Sequence, residues 1–465
     1  LWLVGESDIL VENFENHPKE SVMQRREFVK ATVAATAVYA ARPVVFGQNA
    51  PSNTVRVAVM GCHAKGRGYS LMKTLAKLPG VEIAALCDVD ARAMDAAAAE
   101  IQRLTGKMPK KEGDLRKVLA DKEVDGVVCA APDHWHAPAA LLTMQAGKAI
   151  YVEKPVSHNP REGELLVEAA AKYNAVFLMG SQRRSSTVYQ SAIKEIREGV
   201  IGEPRFARCW YATQREPIGK ALKCAVPEWL NWELWQGPAP RRDFQDNVVH
   251  YNWHWFHDWG TGECGNNATH YVDVARWALD VTFPTRVTSA GGRLFHEGDD
   301  WEWFDTQAAT FEFADRKFMT WEGLSSVKAR PYEGASTGCM IYGLNGAVLF
   351  TPNDICTLFD KAGKEVRTWS SQTVTGDATN RTNPTVGLDE AHLGNWIECI
   401  RAKNGKTNSP AAVAHASTLL THLANIAQRT GETVKVDPAS GRLAAGSPGQ
   451  ELWAREYAKG WEMTL

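Results

Sequence analysis

The sequence predicts an α/β chain: an amino-terminal doubly wound parallel sheet, then an α+β domain with an open, mostly antiparallel sheet. From residue 53 to about 180, short Val/Ile/Ala-rich runs alternate with helical segments, the order that lays strands parallel with helices on both faces. Beyond 180 the helix signals thin out and strand-like runs follow one another, as in a meander. A third observation places function on this frame. Glu153-Lys154-Pro155 closes the apolar run Ala149–Val152, so a lysine stands at the carboxyl end of a buried strand, where open α/β sheets bind ligands. Pro155 stops the strand and holds Lys154 extended.

In order, Val55–Met60 reads as the first strand, followed by a Gly-containing turn and a helix to about residue 78. Val81–Cys87 is the second strand and Ala91–Thr105 an Ala-rich helix, with Asp90 placed to cap it. A buried strand at 124–130 leads to a helix at 137–146, and strands at 149–152 and 176–179 flank a helix at 160–173. The second region carries strands near 205–212, 286–290, 306–313, 318–322, 338–342 and 347–350, then helices at 390–402 and 411–429. Internal repeats and low-complexity linkers are lacking. The expected domains, 53–180 and 181–465, therefore share a wide interface.

The length of 465 residues exceeds the ~250–300 at which single cores stop growing, which agrees with two domains. Hydrophobic content of 44% and charged content of 23% are those of a globular protein. With a net charge of −2 and no dense Lys/Arg block, neither nucleic acid nor an anionic membrane is an expected partner. The nine cysteines are odd in number, scattered and without Cys-x-x-Cys, so buried thiols are expected rather than a disulfide framework. Much of the tryptophan lies between Trp210 and Trp303; such a cluster serves as core or stacks on sugar rings.

Residues 1–22 read as an upstream extension, with translation expected from Met23. Segment 23–50 reads as a twin-arginine export signal: Arg25-Arg26, Phe28 and Lys30 precede an Ala/Val/Thr stretch too short for a ~20-residue span, with cleavage expected after Ala41 or Ala50. A periplasmic location follows, by a route that exports folded proteins with their cofactor loaded.

Gly61-Cys62-His63-Ala64-Lys65-Gly66-Arg67-Gly68 directly follows the first strand, where backbone amides and a helix amino end hold a pyrophosphate. A strict G-x-G-x-x-G would have glycine where His63 stands. Asp88 ends the second strand, and an acid there accepts from the adenosine ribose and repels a 2′-phosphate, favouring NAD over NADP. The stretch Ala130-Ala131-Pro132-Asp133-His134-Trp135-His136 reaches the same rim. The residues expected to hold the dinucleotide are Gly61, His63, Gly66, Arg67, Asp88, Pro132, His136, Glu153 and Lys154.

A second cluster runs from His250 to Trp277. From Asn266 it reads as a helix after a Gly-rich turn, with Asn266, His270 and Asp273 on one face at i, i+4 and i+7. This stripe is either a solvated face or a ligand site. His250, His254, His257 and Asp258 have ligand-like chemistry, but their spacing matches no zinc pattern and bulky aromatics interleave, so no metal is expected.

Together these motifs resemble the Gfo/Idh/MocA family, which includes glucose–fructose oxidoreductase and inositol dehydrogenase, from residue 55 onward. The resemblance extends to an exported subgroup through Leu230-Asn-Trp-Glu-Leu-Trp-Gln-Gly-Pro-Ala-Pro240, Gly262-Glu-Cys-Gly-Asn266 with His270, and Glu390-Ala-His392-Leu-Gly-Asn-Trp-Ile-Glu-Cys-Ile-Arg401. It implies a Rossmann domain plus an open-sheet domain, assembly as a homodimer or homotetramer through the sheet face, and hydride transfer between a nicotinamide and a hydroxyl carbon of a sugar or cyclitol. In the family an Asp commonly precedes the helix histidine by four residues; Asn266 stands there. The catalytic residues expected are His270 as proton acceptor, Lys154 stabilising alkoxide, Asn266 orienting the substrate or His270, and Asp273 holding the imidazole or the substrate. Two alternatives stay open: a glycosidase with tightly bound NAD, acting by transient oxidation and elimination, and a non-catalytic sugar-binding protein.

Overall fold

The computed structural model describes residues 53–328, 333–371 and 386–465; the upstream stretch and the twin-arginine segment lie outside the described residues. The first sheet has six parallel strands: β1 (Val55–Met60), β2 (Val81–Cys87), β3 (Lys110–Glu112), β4 (Gly126–Cys129), β5 (Ala149–Val152) and β6 (Phe177–Met179), in the order β3-β2-β1-β4-β5-β6. The order reverses between β1 and β4, so the ligand crevice of such a sheet opens at their carboxyl ends. The helices α1 (Arg67–Leu75), α2 (Ala91–Thr105), α3 (Leu115–Ala120), α4 (Asp133–Gln145) and α5 (Pro160–Lys172) make the crossovers.

Local chemistry sets the helix starts. Asp90 accepts from the amides of Arg92 at 2.9 Å and Ala93 at 3.3 Å, capping α2. Asn159 does the same for α5 through Glu162 N at 3.1 Å, with Pro160 inside the first turn. α4 starts at Asp133, four residues earlier than the sequence suggests, because the chain turns into helix directly after Pro132.

The second sheet has nine strands: β7 (Pro204–Ala212), β8 (Arg286–Gly292), β9 (Thr306–Glu312), β10 (Phe318–Leu324), β11 (Thr337–Gly343), β12 (Gly346–Thr351), β13 (Ile355–Asp360), β14 (Glu365–Ser370) and β15 (Val434–Lys435). Their order is β14-β13-β12-β11-β7-β10-β9-β8-β15, antiparallel except where β7 meets β10. One face is covered by α6 (Thr187–Arg197), α8 (Thr269–Leu279) and α10 (Ala411–Thr430), whose Tyr189, Tyr271 and Leu423 bury against Phe311, Trp321 and Ile341. The other face carries Trp210, Met340 and Leu349 with partly exposed Tyr342 and Phe359.

Two connections cross between the sheets. α9 (Val386–Arg401) returns to the first sheet, burying Leu393, Trp396 and Ile397 beside Val59, Val128 and Tyr151. The stretch 213–260, which includes the short helix α7 (Trp232–Gln236), packs Trp232, Trp235, Trp253, Phe256 and Trp259 into its own cluster. Most of these tryptophans are core: Trp255, Trp259 and Trp301 are at most 1% exposed, which leaves them no face for a sugar. The same stretch lies against the end of β2 through Ala91 N to Trp229 O at 3.1 Å and Asn231 N to Val89 O at 2.9 Å. Among the described residues no helix is long and apolar enough to cross a membrane.

Candidate active site

The turn after β1 is built for close packing. Gly61 has φ +82°, and a Cβ there would stand 2.5 Å from the Ala130 carbonyl oxygen. A Cβ on Gly68 would stand 2.0 Å from Gly61 O. Gly66 occupies the cap position of α1 with no side-chain cap, and no acid lies in the first turn. The first amides of α1 are thus left for an anion, the arrangement a pyrophosphate requires. Asp88 accepts from Cys62 N at 2.7 Å and Asp90 N at 3.0 Å. A carboxylate accepts about four hydrogen bonds, so lone pairs remain for ribose hydroxyls. Burial pushes the Asp88 carboxyl above its ordinary range. These residues fit a dinucleotide.

Other expected cofactor residues have different partners. The Arg67 guanidinium donates to Glu153 Oε1 at 3.1 Å and to Asp389 Oδ2 at 2.7 Å, so it ties α9 to the end of β5 instead of reaching for phosphate. His136 has both ring nitrogens against carbonyls, Pro155 O at 2.6 Å and Ala131 O at 2.8 Å, and so braces the β4 and β5 ends from behind. Pro132 sits at the start of α4. The His63 ring stacks on His250 at 3.9 Å, and His250 Nε2 lies 3.0 Å from Asp90 Oδ2. The residue that breaks the glycine pattern is therefore a landing point for the 213–260 stretch. Arg92 stacking on Trp229 at 3.6 Å seats the same stretch.

Glu153 is 5% exposed and also accepts from Tyr151 at 3.1 Å. Burial would push its carboxyl up, but Arg67 and Lys154 outweigh that and hold it below the ordinary range. Gly180 packs so tightly on it that a Cβ would lie 2.8 Å from Glu153 Cδ. Lys154, joined to Pro155 by a cis peptide, donates from Nζ to Asn266 O at 2.7 Å and Asn266 Oδ1 at 3.0 Å. Burial lowers its pKa, against the opposing pull of Glu153 and Asp133.

Asn266 belongs to a π-helical turn, Cys264–Ala268, that runs into α8. π-turns recur at functional sites because they re-aim side chains within a helix. Asn266 Nδ2 donates to Glu263 Oε1 at 3.2 Å. Glu263 was not singled out from the sequence, yet it is 4% exposed and collects bonds from Arg215 at 2.8 Å, Ser325 at 3.1 Å, and Asn267. Arg215 also donates to Tyr211 and Tyr251, each at 2.8 Å. The available signal was an acid inside the Gly262–Asn266 motif.

His270 is partly buried and makes no hydrogen bond to another described residue. Burial, then the charges of Arg183, Lys154 and Arg67, hold its imidazole well below its usual pKa. It is neutral near pH 7, and the same burial and cations disfavour its protonated form. Asp273 is different: fully buried, it accepts from Arg184 Nε and Nη2 at 2.8 Å and from Ser417 at 2.6 Å. The expectation that it holds the imidazole or substrate is corrected; it locks α8 to the chain after β6. The ligand-like residues upstream each go elsewhere: His254 to Tyr251 O at 2.6 Å, His257 against Trp303, Asp258 to Arg242 at 2.6 Å.

The architecture and this crevice define a dinucleotide-type fold with a polar cleft, built by Glu153, Lys154 and Asn266, at the carboxyl end of β5. The sequence matches the Gfo/Idh/MocA oxidoreductase family in two parts, the NAD-binding Rossmann fold over residues 55–181 and the C-terminal alpha/beta domain over 210–348. The chain belongs to this family. A glycosyl hydrolase family 109 protein of Shewanella pealeana is 31% identical over 172 residues, 35% of this chain and 37% of that protein. A second, from Shewanella baltica, is 29% identical over 204 residues, 39% and 44%. The chain spans less than half the length of these curated relatives. Levoglucosan dehydrogenase in complex with NADH and levoglucosan has the same fold, with a TM-score of 0.61 at 18% identity over 82% of this chain and 99% of that one.

Proposed function

We propose that the protein transfers hydride between NAD and a hydroxyl carbon of a sugar or cyclitol. The observation that carries this is Lys154 Nζ held on Asn266 at 2.7 and 3.0 Å, four residues before His270 on the segment that runs into α8. The ammonium has three donors and gives two to Asn266, leaving one for a substrate oxygen. His270, neutral and unpartnered among the described residues, takes the hydroxyl proton, and Lys154 stabilises the developing alkoxide. NAD, when bound, accepts the hydride. Gly61, Gly66 and Asp88 would hold it, with Glu153 and Arg67 fixing the lysine-bearing loop. The test is Lys154→Met: it should lose at least ~100-fold in kcat with NAD affinity within about threefold. Full turnover in that variant overturns the assignment.

A second reading is favoured by the similarity to family 109 glycosyl hydrolases and by the 213–260 stretch seated over the phosphate turn: a glycosidase that retains NAD and regenerates it each cycle. Glycoside cleavage without added NAD and without net NADH separates the two. Export by the Arg25-Arg26 signal to the periplasm is part of the same proposal and is tested by fractionating cells that express the full chain. So is assembly through the outer face of the second sheet, where Trp210, Met340 and Leu349 meet partly exposed Tyr342 and Phe359; light scattering reads the mass.

A further inference from the structure

On the 213–260 stretch, Tyr251 is 46% exposed while Trp253 and Trp255 just beyond it are buried. An exposed aromatic side chain is usually loose, and this one is held. Its phenol oxygen accepts from Arg215 Nη1 at 2.8 Å. Its ring lies against His254, with centroids 4.6 Å apart, and edge-on to Trp255 at 6.4 Å. His254 is pinned in turn: Nδ1 donates to Tyr251 O at 2.6 Å, and the ring stacks on Trp253 at 3.6 Å. One residue earlier, His250 stacks on His63 of the phosphate turn.

The anchoring of the phenol leads to Lys154. Arg215 donates to both oxygens of Glu263, at 2.8 and 3.1 Å. Asn266 donates to the same carboxylate at 3.2 Å, and its Oδ1 accepts from Lys154 Nζ at 3.0 Å. The phenol oxygen also lies beside the Asn266 side chain. One hydrogen-bonded chain therefore runs from Tyr251 through Arg215, Glu263 and Asn266 to Lys154, and it fixes the phenol relative to the ammonium.

A guanidinium only donates, so Arg215 occupies a lone pair of the phenol oxygen and leaves its hydrogen over. No described residue accepts that hydrogen. Accepting a bond from a cation also polarises the phenol O–H and makes it a better donor. The site thus presents two pre-set donors, the remaining N–H of Lys154 and the O–H of Tyr251. A molecule with a single hydroxyl satisfies one of them. A sugar or cyclitol satisfies both.

We propose that Tyr251 is a substrate-contacting residue that determines specificity: its phenol donates a hydrogen bond to a second oxygen of the sugar or cyclitol, on a carbon other than the one Lys154 addresses. No proton leaves the phenol in this contact. Sites built to bond a hydroxyl discriminate strongly against analogues that lack it, so the contact selects polyols over simple alcohols. The inference rests on the hydride-transfer reading of the Lys154 cleft.

Calorimetric titration of the full, NADH-loaded protein with glucose, galactose and myo-inositol tests it. The tightest binder of the three and its monodeoxy analogues are then titrated into wild type and Tyr251→Phe, which keeps the ring and removes only the oxygen. The variant should bind the parent sugar about tenfold more weakly, with the thermal midpoint held at this exposed position. With NAD, KM for the parent should rise by a similar factor, with a smaller change in kcat. One deoxy analogue, lacking the oxygen that Tyr251 addresses, should bind both proteins alike. Unchanged binding of the parent by the variant overturns the inference. So does an equal loss with every deoxy analogue, which would mean that the phenol acts only by holding Arg215. If wild type binds and oxidises a sugar and Tyr251→Phe does the same equally well, this inference alone fails. Binding without oxidation sinks the hydride-transfer reading while the deoxy series still decides the contact. Neither binding nor oxidation of any of the three sugars overturns both.

Discussion

Replacing Asp273 by Asn should cost stability and leave the chemistry standing. The carboxylate is fully buried, with two Arg184 contacts at 2.8 Å and one from Ser417 at 2.6 Å. At an effective dielectric constant near ~20, a unit charge pair at that distance is worth ~6 kcal/mol before desolvation. Desolvation of both ions cancels much of this, yet removing one partner strands the other, which costs ~3–5 kcal/mol. Asn keeps an acceptor oxygen but turns its amide toward Arg184 donors, so a loss of about 3 kcal/mol is expected. Urea unfolding of the NAD-loaded protein at pH 7 should show a lower midpoint with unchanged slope, and kcat measured well below that midpoint should stay within about threefold. Burial alone would raise the pKa of Asp273; Arg184 outweighs it and keeps the folded-state value below the unfolded one. The stabilisation is therefore present above the unfolded pKa of ~3.9 and is lost as pH falls through the folded value, so the gap between wild type and variant should close below about pH 4. An unchanged midpoint together with a hundredfold loss of kcat would refute this reasoning and return Asp273 to the reacting centre.

Gly61→Ala places a methyl 2.5 Å from Ala130 O at φ +82° and should weaken NAD binding at least ~10-fold by calorimetry; unchanged affinity would remove this turn from the cofactor site. Glu263→Gln strips the charge that Arg215 and both Asn266 and Asn267 share; kcat/KM should fall ~10–100-fold with NAD affinity kept, and a wild-type value would mean that Asn266 needs no such support. Burial holds His134 and His422 at about 3 and His392 and His415 at about 4, so from ~6.5 downward the unfolded chain takes up protons that the folded chain refuses. Stability should fall on acidification by up to ~1.4 kcal/mol per pH unit for each histidine; a urea midpoint constant from pH 7 to pH 5 would contradict this.

Five of the six strands of the first sheet were legible because each is largely buried and reads as a short apolar run; β3, the mostly exposed Lys110-Lys111-Glu112, carries no such signal. The Asp90 cap was legible because capping acts over three residues. What escaped the sequence acts over long separations. Helical periodicity shows that α9 has an apolar face but not that this face returns to Trp396's neighbours on the first sheet. Arg67 looked like a phosphate ligand because it stands in the glycine turn; its partner Asp389 is 322 positions away. His136 lies beside the crevice in sequence, but both nitrogens are taken by carbonyls that only the fold brings near. Asp273 shares a helix face with His270, and what diverts it is Arg184, from a turn 89 residues earlier.

The exchange of an acid for Asn266 looked like a loss of charge at the reacting centre, and the structure shows where the charge went. Glu263, three residues earlier on the same turn, is reached through the Asn266 amide, while both Asn266 oxygens face Lys154. An amide neither gives nor takes a proton, so the carboxylate can hold the lysine's acceptor in place but cannot compete with His270 for the substrate's proton. The cleft then offers one lysine donor and one neutral imidazole acceptor, the complement of a single hydroxyl group. That pair suffices for hydride transfer. Elimination of a leaving group needs a further acid, and Tyr251 is a candidate: it is 46% exposed, accepts from Arg215 at 2.8 Å within this cluster, and like any phenol is protonated at neutral pH. The dehydrogenase and glycosidase readings therefore diverge at Tyr251 and not at Lys154 or His270, because only the glycosidase asks the phenol for a proton.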